Sequence, residues 1–467
     1  MIRLFQVSIP TGIVLLVGGD SVLLALAYFF GAYFGLDPST PLLFYMNYEN
    51  GWLQLACVVG VVQIGLYLND WYESALPASR MVLLQELCLV MGTAFLLQAL
   101  LGYGQWELLQ LPQWSMLYGS GLVLVILPIW RTIFYHLMPK ALPSKKVLFW
   151  GASPAMLDIV NKLMARPDFG YVFLGYLDDK PAPALAESYY LGPRSTSVLD
   201  QTITDLSPNC FVISAGEESL TADPSSGVIQ KLLELRLKNQ MQVIDVEPLY
   251  ESVLGRVSMR NLRPSTTFQS REWGIRLQTW YSFVLGSIGL VICLPVMIVV
   301  ALLVRLTSRG PVLFRQTRVG FGGKLFELYK FRSMYQDAEA ATGPVWATKD
   351  DPRITPLGRW LRKLRLDELP QFFNVVRGDM VLVGPRPERP EFCEILEKHL
   401  PFFGLRHMVK PGITGWAQIN HAYADTIEDT AIKLEYDLYY IRHVAPSLDA
   451  YIIFHTIKVM LLSRGAQ

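Results

Sequence analysis

Two acidic residues stand side by side at Asp367 and Glu368, within the run Arg-Leu-Asp-Glu-Leu-Pro-Gln at 365–371. Four cationic residues precede them closely in the chain: Arg359, Arg362, Lys363 and Arg365. Carboxylates of this kind can hold a metal ion or attack an electrophile, and arginines bind anions. The spacing therefore predicts a site where anions, a metal and an acidic side chain meet. The alternative is that both carboxylates only neutralise neighbouring arginines on a solvated helix face.

Further cationic residues in the same part of the chain fit anion binding. Lys330 and Arg332 alternate with aromatic residues, so a strand here would have one apolar face and one cationic face. Arg386 stands between Pro385 and Pro387, and such a restricted backbone suits the presentation of a planar guanidinium to a phosphate. Together these segments favour an anion-binding site over ordinary turn chemistry.

The composition of the 467-residue chain indicates both membrane-embedded and water-exposed parts. Hydrophobic residues make up 52%, charged residues make up 17%, and the mean hydropathy is +0.30. A net charge of +1 argues against nucleic acid as a partner of the whole chain. The five cysteines are scattered without metal-ligand spacing, so we expect reduced thiols. The length suffices for two or three domains.

Four apolar segments near membrane-spanning length occupy residues 1–140. They lie at about 13–34, 52–68, 81–101 and 115–135. Asp20 and Glu86 interrupt two of them, at a cost of about 2.5–3.5 kcal/mol each at a helix centre, which a run of large aliphatic residues can offset. A buried soluble bundle is the alternative, but the segments lack polar faces at helical spacing. We predict a transmembrane four-helix bundle.

The charges that flank these segments predict their orientation. Lysine and arginine occur before the first segment, between the second and third, and after the fourth, whereas loops 35–51 and 102–114 contain neither residue. By the positive-inside rule, both ends of the bundle face the cytoplasm. The remainder of the chain then begins on the cytoplasmic side.

Residues 141–253 alternate between short apolar strands and helical patterns, which predicts a cytosolic Rossmann-like α/β domain. Gly151 opens a candidate dinucleotide loop, but the second and third glycines of that motif are missing. Pro154 suits the first turn of a helix instead. A structural or regulatory domain is favoured, and a weak nucleotide or coenzyme A site is the alternative.

A linker is predicted at 254–278, followed by a fifth apolar segment at 279–304 with Pro295 near its middle. Arginines flank this segment on both sides, so both ends favour the cytoplasm. A proline in a helix interior removes a hydrogen bond and bends the helix. We predict a re-entrant membrane helix that bends at Pro295, with a kinked spanning helix as the alternative.

From about residue 279 to its end, the chain resembles the bacterial sugar transferases, which are monotopic polyprenyl-phosphate phosphoglycosyltransferases. The motifs that carry the resemblance occur in order: Gly-Pro-Val-Leu-Phe-Arg-Gln at 310–316, Lys-Phe-Arg-Ser-Met at 330–334, Leu-Asp-Glu-Leu-Pro-Gln at 366–371, Gly-Asp-Met at 378–380, Val-Gly-Pro-Arg-Pro-Glu at 383–388 and Pro-Gly-Ile-Thr-Gly-Trp at 411–416. The four spans and the α/β domain are similar to the large form of the family. Short members often have Ser-Pro at the bend, where this chain has Leu294 and Pro295.

The resemblance implies an activity and a mechanism. Asp367 would attack the β-phosphate of a UDP-sugar, release UMP and form a covalent aspartyl-phosphosugar, and undecaprenyl phosphate would then accept the sugar phosphate. Glu368 would hold Mg²⁺ with Asp367 or assist proton transfer. The remaining candidate site residues implied in this way contact or support the phosphates: Lys330, Arg332, Arg365, Asn374, Asp379, Pro385, Arg386 and Pro387.

The resemblance also places the protein in the bacterial inner membrane. It implies a catalytic α/β domain at 279–467 on the cytoplasmic surface, a lipid substrate in the inner leaflet, and an oligomer of identical chains as one option. A non-catalytic assembly or regulatory protein of polysaccharide export is the alternative function. An epimerase or oxidoreductase is disfavoured by the degenerate glycine loop, and a transporter by the small number of spans. Glucose and galactose are the usual sugars, and no residue here selects one.

Overall fold

The computed structural model describes residues 2–4, 6–72, 80–141, 144–166, 169–214, 228–237, 241–262, 272–336, 351–421 and 426–461. It divides into two compact units, Met1–Ile2 with Ser8–Asp245 and Arg3–Val7 with Val246–Gln467. Among the described residues, five helices are long and apolar enough to span a membrane. They are the four predicted N-terminal segments and the predicted fifth segment.

Long apolar helices form the N-terminal bundle, as predicted. After two short strands, β1 (Ile2–Leu4) and β2 (Val7–Ile9), the helices are α1 (Thr11–Gly35), the short α2 (Leu42–Tyr48), α3 (Gly51–Leu68), α4 (Arg80–Tyr103) and α5 (Gln113–Ala141). Helices α1 and α5 approach closely where Gly31 of α1 faces Gly119 of α5. A side chain would not fit here, because a Cβ on Gly31 would lie 2.5 Å from the Gly119 nitrogen. Small residues at such contacts are typical of packed membrane helices.

A buried ion pair stabilises the charge inside α1. The carboxylate of Asp20 accepts from Arg131 at 2.6 Å, from Tyr72 at 3.0 Å and from Trp130 at 3.0 Å. Arg131 also donates to the carbonyl oxygen of Trp71 at 2.7 Å. The sequence pattern predicted only that aliphatic neighbours offset the cost of Asp20. The structure shows that the two charges stabilise each other within the bundle.

The first unit also contains a five-stranded parallel sheet with strand order β5-β4-β3-β6-β7. Its strands and helices are β3 (Lys145–Trp150), α6 (Pro154–Ala165), β4 (Tyr171–Leu177), β5 (Tyr190–Gly192), α7 (Thr196–Leu206), β6 (Cys210–Ile213), α8 (Val228–Leu237) and β7 (Gln242–Asp245). Residues 147–150 of β3 and 210–212 of β6 are buried, which agrees with the continuous apolar sequence of these parts of the two central strands. This order is that of a doubly wound nucleotide-binding fold, so the α/β prediction is confirmed.

The loop after β3 is closed by a side chain of the same domain. Gly151 has a φ of 90°, and the backbone N–H of Ala152 donates to Asp178 Oδ2 at 2.8 Å. Ser153 caps α6 by accepting from the Met156 nitrogen at 3.2 Å, and Pro154 occupies the first helical turn as predicted. In a dinucleotide-binding loop, this backbone N–H would point at a phosphate. Here the N–H of Ala152 is hydrogen-bonded to the carboxylate of Asp178 instead.

The larger part of the second unit starts in the chain with α9 (Val246–Leu254), which directly follows β7. Tyr250 Oη donates to Glu435 Oε2 at 2.8 Å, and Trp416 Nε1 donates to the Gly255 carbonyl oxygen at 2.8 Å. The predicted domain boundary at 253 thus falls at the end of a helix that packs within this unit. Of the predicted linker, residues 263–271 lie outside the described part of the chain.

The fifth apolar segment is part of α10 (Glu272–Thr307), which remains helical through Pro295. Near its start, Gln278 Nε2 donates to the Val383 carbonyl oxygen at 3.0 Å. Near its end, the buried Val304 lies in one apolar cluster with Phe331 and Leu361. The helix therefore contacts the second unit on both sides of its proline.

The remaining elements complete the second unit. They are the antiparallel strands β8 (Leu313–Val319) and β9 (Leu325–Phe331), α11 (Pro356–Lys363), α12 (Gln371–Arg377), β10 (Val381–Val383), α13 (Pro390–His399), β11 (Gly412–Thr414) parallel to β10, α14 (Trp416–Asn420), α15 (Ile427–Arg442) and α16 (Pro446–Leu461). Their core includes Leu438 and Ile441 of α15 and Leu448 and Ile452 of α16, all fully buried.

Candidate active site

Asp367 and Glu368 lie on a short 3-10 turn, Leu366–Glu368, between helices α11 and α12. Thr355 caps α11 by accepting from the Gly358 nitrogen at 2.9 Å, and α11 ends at Lys363. Arg365 then adopts a left-handed φ of 53°, which turns the chain before the carboxylates. The acidic pair therefore lies on the turn that joins two helices, and not on the face of a single helix.

Glu368 is engaged by cations from three parts of the second unit. Its Oε1 accepts from Lys330 Nζ at 2.9 Å and from Arg386 Nη2 at 2.8 Å, and its Oε2 lies 3.9 Å from Arg365 Nη1. Arg386 and Lys330 outweigh the effect of burial and hold the pKa of Glu368 well below its ordinary value. Glu368 therefore carries a fixed negative charge that organises the cations.

Asp367 has a different environment although it is the next residue. Its side chain is buried, and no described residue forms a hydrogen bond or ion pair with its carboxylate. Burial and the adjacent Glu368 raise the pKa of Asp367, while Lys330, Arg362 and Arg386 oppose that rise. A carboxylate without a bonded partner, near three cations, is available to a ligand.

Lys330 reaches the acidic pair from β9, and Asn374 holds that strand. The fully buried Asn374 accepts from the Tyr329 nitrogen at 3.1 Å and donates to the Glu327 carbonyl oxygen at 2.6 Å. Burial lowers the pKa of Lys330, and Glu368 counteracts that effect. Asn374 thus fixes the backbone of β9 beside Lys330, and its supporting role in the site stays a prediction.

The structure does not bring every predicted site residue to the carboxylates. Arg332 points to the end of α10, where it donates to the carbonyl oxygens of Pro311 at 2.6 Å and Ser308 at 2.8 Å. Asp379 lies 3.4 Å from Arg377 Nε at the end of α12. These contacts favour structural roles for Arg332 and Asp379, whereas Lys330, Arg365 and Arg386 surround Glu368.

Other charged residues also lie near this site, and one of them, Lys433, was not singled out from the sequence. Arg362 Nε donates to Ser333 Oγ at 3.0 Å, and its charge acts on Asp367. Glu388 lies 2.6 Å from Lys433 Nζ, and three basic residues hold its pKa at about 2. The sequence contained a signal for Glu388, because it ends the Pro-Arg-Pro-Glu run, but it contained none for its distant partners.

The acidic pair suits a metal ion that is shared with a substrate. Within the described residues, no group of three or more acidic, histidine or cysteine side chains gathers to form a complete protein cage. Mg²⁺ usually takes one or two carboxylates and completes its coordination with substrate phosphates and water. Asp367, to which no described residue is hydrogen-bonded, would suit such an ion better than Glu368, whose Oε1 already accepts two hydrogen bonds.

Comparison with known proteins places this site in a family. Residues 274–463 match the model described as "Bacterial sugar transferase". The chain is 39% identical over 256 residues to the UDP-N-acetylgalactosamine-undecaprenyl-phosphate N-acetylgalactosaminephosphotransferase of Aeromonas hydrophila, covering 53% of this chain and 59% of that protein. It is 42% identical over 200 residues to the undecaprenyl-phosphate glucose phosphotransferase of Komagataeibacter xylinus, covering 42% of this chain and 38% of that protein.

A third relative is matched over more of its length. The UDP-glucose:undecaprenyl-phosphate glucose-1-phosphate transferase of Klebsiella pneumoniae is 32% identical over 339 residues, which cover 69% of each chain. The matched region thus spans less than two thirds of the first two relatives and more than two thirds of the third. With its ordered motifs and its N-terminal membrane helices, this chain belongs to the bacterial sugar transferase family.

Proposed function

We propose that this chain transfers a sugar 1-phosphate from a UDP-sugar to undecaprenyl phosphate, releasing UMP and forming an undecaprenyl-diphosphate-linked sugar. Such a product would be the first membrane intermediate of an exopolysaccharide, O-antigen or capsule. Support comes from family membership and from relatives whose names contain undecaprenyl phosphate. The described geometry supplies the residues that this chemistry needs.

In the first step, a carboxylate oxygen of Asp367 attacks the β-phosphorus of the UDP-sugar. The bond between that phosphorus and the bridging oxygen breaks, UMP leaves with the electron pair, and an aspartyl-phosphosugar remains. The observation that carries this assignment is the contrast between the two carboxylates: Glu368 is bonded to Lys330 and Arg386, whereas no described residue is bonded to Asp367. The unbonded carboxylate is the one free to attack.

In the second step, a phosphate oxygen of undecaprenyl phosphate attacks the same phosphorus. The bond from phosphorus to Asp367 breaks, which regenerates the carboxylate and leaves the sugar on a lipid diphosphate. The low pKa of Glu368 favours a fixed charge over a proton acceptor in this step. Both steps therefore take place at Asp367, and two successive displacements at phosphorus replace a single direct transfer.

Cations near the acidic pair would stabilise the phosphates. Lys330, Arg365 and Arg386 lie within 4 Å of Glu368 and are our candidates for phosphate contacts. Phosphoryl transfer depends mainly on positioning and charge neutralisation, which a cluster of this kind provides. Mg²⁺ held by Asp367 and Glu368 together with substrate phosphates would supply further neutralisation.

We further propose that α10 is re-entrant and keeps the catalytic residues at the cytoplasmic surface of the inner membrane. Gln278 near one end and Val304 near the other both pack against the second unit, which favours both ends on one side. Between them the helix exposes large apolar side chains such as Val291 and Ile292, as contact with lipid requires. A site at the surface would reach both a cytosolic nucleotide and a lipid of the inner leaflet.

The assay that tests this proposal uses the purified full chain, undecaprenyl phosphate, Mg²⁺ and UDP-sugars supplied one at a time. We expect UMP and one lipid-linked sugar from a single preferred donor, with UDP-glucose, UDP-galactose and UDP-N-acetylgalactosamine in the panel. The Asp367→Asn variant keeps the size of the side chain and should form no lipid-linked product. Equal product from wild type and variant would overturn the nucleophile assignment, and no product from wild type with any donor would overturn the proposed activity.

A further inference from the structure

Segment 385–388 follows β10 and carries Arg386. Hydrogen bonds from other parts of the second unit fix its backbone. All four carbonyl oxygens of residues 385–388 accept a hydrogen bond. The donors are Gly412 N to Pro385 at 3.0 Å, Arg406 Nη2 to Arg386 at 2.9 Å, Arg318 Nη1 to Pro387 at 2.9 Å and Val319 N to Glu388 at 3.0 Å. Because Pro385 and Pro387 have no N–H group, carbonyl oxygens are the main means by which this segment can be held.

Arg406 makes the contact closest to the active site. It lies on a 3-10 turn, Phe403–Met408, and its side chain is 4% exposed. One nitrogen, Nη2, donates both to the Arg386 carbonyl oxygen at 2.9 Å and to Asp437 Oδ2 at 2.9 Å. Asp437 comes from the middle of α15 and is 2% exposed. The carboxylate therefore fixes the guanidinium, and the guanidinium fixes the backbone of Arg386.

We infer that Arg406, held by Asp437, is a positioning residue that sets where the Arg386 guanidinium lies relative to the acidic pair. This inference rests on the proposed function. The Arg386 side chain spans from the held backbone to Glu368 Oε1 at 2.8 Å, so a shift of its carbonyl group moves the guanidinium. Neither Arg406 nor Asp437 contacts Asp367 or Glu368 among the described residues. Their effect on transfer is therefore indirect and passes through Arg386.

The neighbouring Lys433 provides a matched control. It lies on α15 one turn before Asp437 and binds the Glu388 side chain at 2.6 Å, within the same cluster of charges. It contacts no carbonyl oxygen of residues 385–388 among the described residues. A variant at Lys433 therefore perturbs the charge cluster without releasing the Arg386 backbone.

The first test compares the double variant Arg406→Met with Asp437→Leu against Lys433→Gln. Removing both charges together leaves no unpaired Asp437, and Glu388, which lies 3.7 Å from Arg406, keeps Lys433 at 2.6 Å, so the double variant should fold. With the donor that wild type uses, we expect kcat to fall about a hundredfold, the loss typical of a misplacement of ~1 Å. KM should change less than kcat, because neither residue touches substrate directly and Arg386 is expected to act mainly on the charge of the transition state. Lys433→Gln should retain most of its activity, since Arg318 and Arg406 remain within 4 Å of Glu388 and the Arg386 carbonyl oxygen keeps its donor.

Thermal unfolding of both proteins separates positioning from stability. If the double variant has a wild-type melting temperature and full kcat, or if Lys433→Gln loses as much activity as the double variant, the inference is wrong. A wild type that releases no UMP with any donor would instead count against the proposed function. The two failures are therefore distinguishable.

A second, independent readout is a double-mutant cycle with Arg386→Lys. If Arg406 acts through Arg386, then adding Arg406→Lys to Arg386→Lys should cause almost no further loss, because coupled residues are non-additive. A purely structural role for Arg406 predicts that the two losses multiply. Multiplicative losses would overturn the inference even if each single variant is impaired.

Discussion

Lys330 Nζ lies 2.9 Å from Glu368 Oε1, and the same oxygen accepts from Arg386 at 2.8 Å. This contact distinguishes Glu368 from its neighbour Asp367. One carboxylate is neutralised and fixed by cations from distant parts of the second unit, while the other is buried and bonded to no described residue. Two adjacent acids with opposite pKa shifts can perform different tasks in one reaction.

The first prediction concerns the covalent intermediate. Wild-type protein mixed with the preferred UDP-sugar and no lipid acceptor should release about one UMP per active site in a rapid burst. Mass spectrometry of the quenched protein should then find the phosphosugar on the peptide that contains Asp367. Glu368→Gln should be impaired in rate but should place any trapped group on the same residue. A phosphosugar on another side chain, or UMP release that requires the lipid, would contradict this mechanism.

The second prediction concerns Lys330. Replacing it with methionine removes one of the two cations bonded to Glu368, so the pKa of Glu368 should rise towards its ordinary value. Loss of a hydrogen bond to a charged group costs about 1.5–3 kcal/mol, or about a ten- to hundredfold lower rate if that bond serves the transition state. The acidic limb of the kcat/KM profile should move to higher pH.

The matched control for this prediction is Lys324→Met. Lys324 is exposed on the turn between β8 and β9, so its replacement changes the same net charge without removing a contact to Glu368. Its pH profile should coincide with that of wild type. A profile for Lys330→Met that also coincides with wild type would refute the role assigned to Lys330.

The third prediction concerns the close approach of two backbone segments beside Arg386. A Cβ on Gly412 would lie 2.1 Å from the Gly384 nitrogen, and neither backbone can move without disturbing the segment that carries Arg386. Gly412→Ala should therefore cost about 1–3 kcal/mol of stability and lower the transfer rate. The melting temperature of the second unit should fall by several degrees, as about 2–4 °C per kcal/mol is usual for a domain of about 150–250 residues.

Gly404→Ala is the comparison for Gly412→Ala. A Cβ on Gly404 would be 3.7 Å from its nearest neighbour, which is an ordinary van der Waals contact with Glu397. This variant should melt near the wild-type temperature and keep its activity. Equal behaviour of the two alanine variants would show that the approach of Gly412 to Gly384 is not required.

The fourth prediction tests the re-entrant helix. Single cysteines introduced as Arg276→Cys and Arg309→Cys, beyond the two ends of the most apolar part of α10, should both react with a membrane-impermeant maleimide only from the cytoplasmic side. The background must lack the native thiols, which are Cys57, Cys88, Cys210, Cys293 and Cys393. Opposite sidedness of positions 276 and 309 would establish a spanning helix instead.

The fifth prediction concerns Asp449, which is 1% exposed in the core of the second unit. Burial raises its pKa from 3.8 to about 6, although Tyr281, Gln278 and Tyr440 donate hydrogen bonds to it. Between these two values the folded state retains a proton that the unfolded state has lost. The stabilising contribution is therefore complete below about pH 4 and is lost as the pH rises through about 6.

At pH 7.5 the buried charge should disfavour folding by roughly 3 kcal/mol at most. Asp449→Asn removes this charge, so the variant should melt above wild type at pH 7.5, and the difference should shrink as the pH approaches 4.5. Glu397→Gln, on an exposed position of α13, serves as the control for a change of carboxylate to amide. A wild type that melts higher than Asp449→Asn at pH 7.5 would contradict this prediction.

The sequence alone was sufficient for the membrane helices and for the order of strands and helices in the α/β domain. The predicted segment 13–34 corresponds to helix Thr11–Gly35 in the structure, and the predicted segment 52–68 corresponds to helix Gly51–Leu68. These predictions succeed because hydrophobic transfer acts on some twenty consecutive residues and is readable without knowledge of distant contacts. The motifs of the candidate active site were similarly local, since each is a short run of consecutive residues.

The tertiary structure decided which cation meets which carboxylate. Lys330 and Arg332 are two residues apart, so a continuous strand would place both side chains on the same face. However, β9 ends at Phe331. Arg332 therefore lies beyond the strand and binds the end of α10, while Lys330 binds Glu368. Asp20 and Arg131 lie 111 residues apart and form an ion pair that charge patterning did not predict. Such pairings depend on where the backbone places two distant segments, and a periodic pattern within one segment carries no information about its partner.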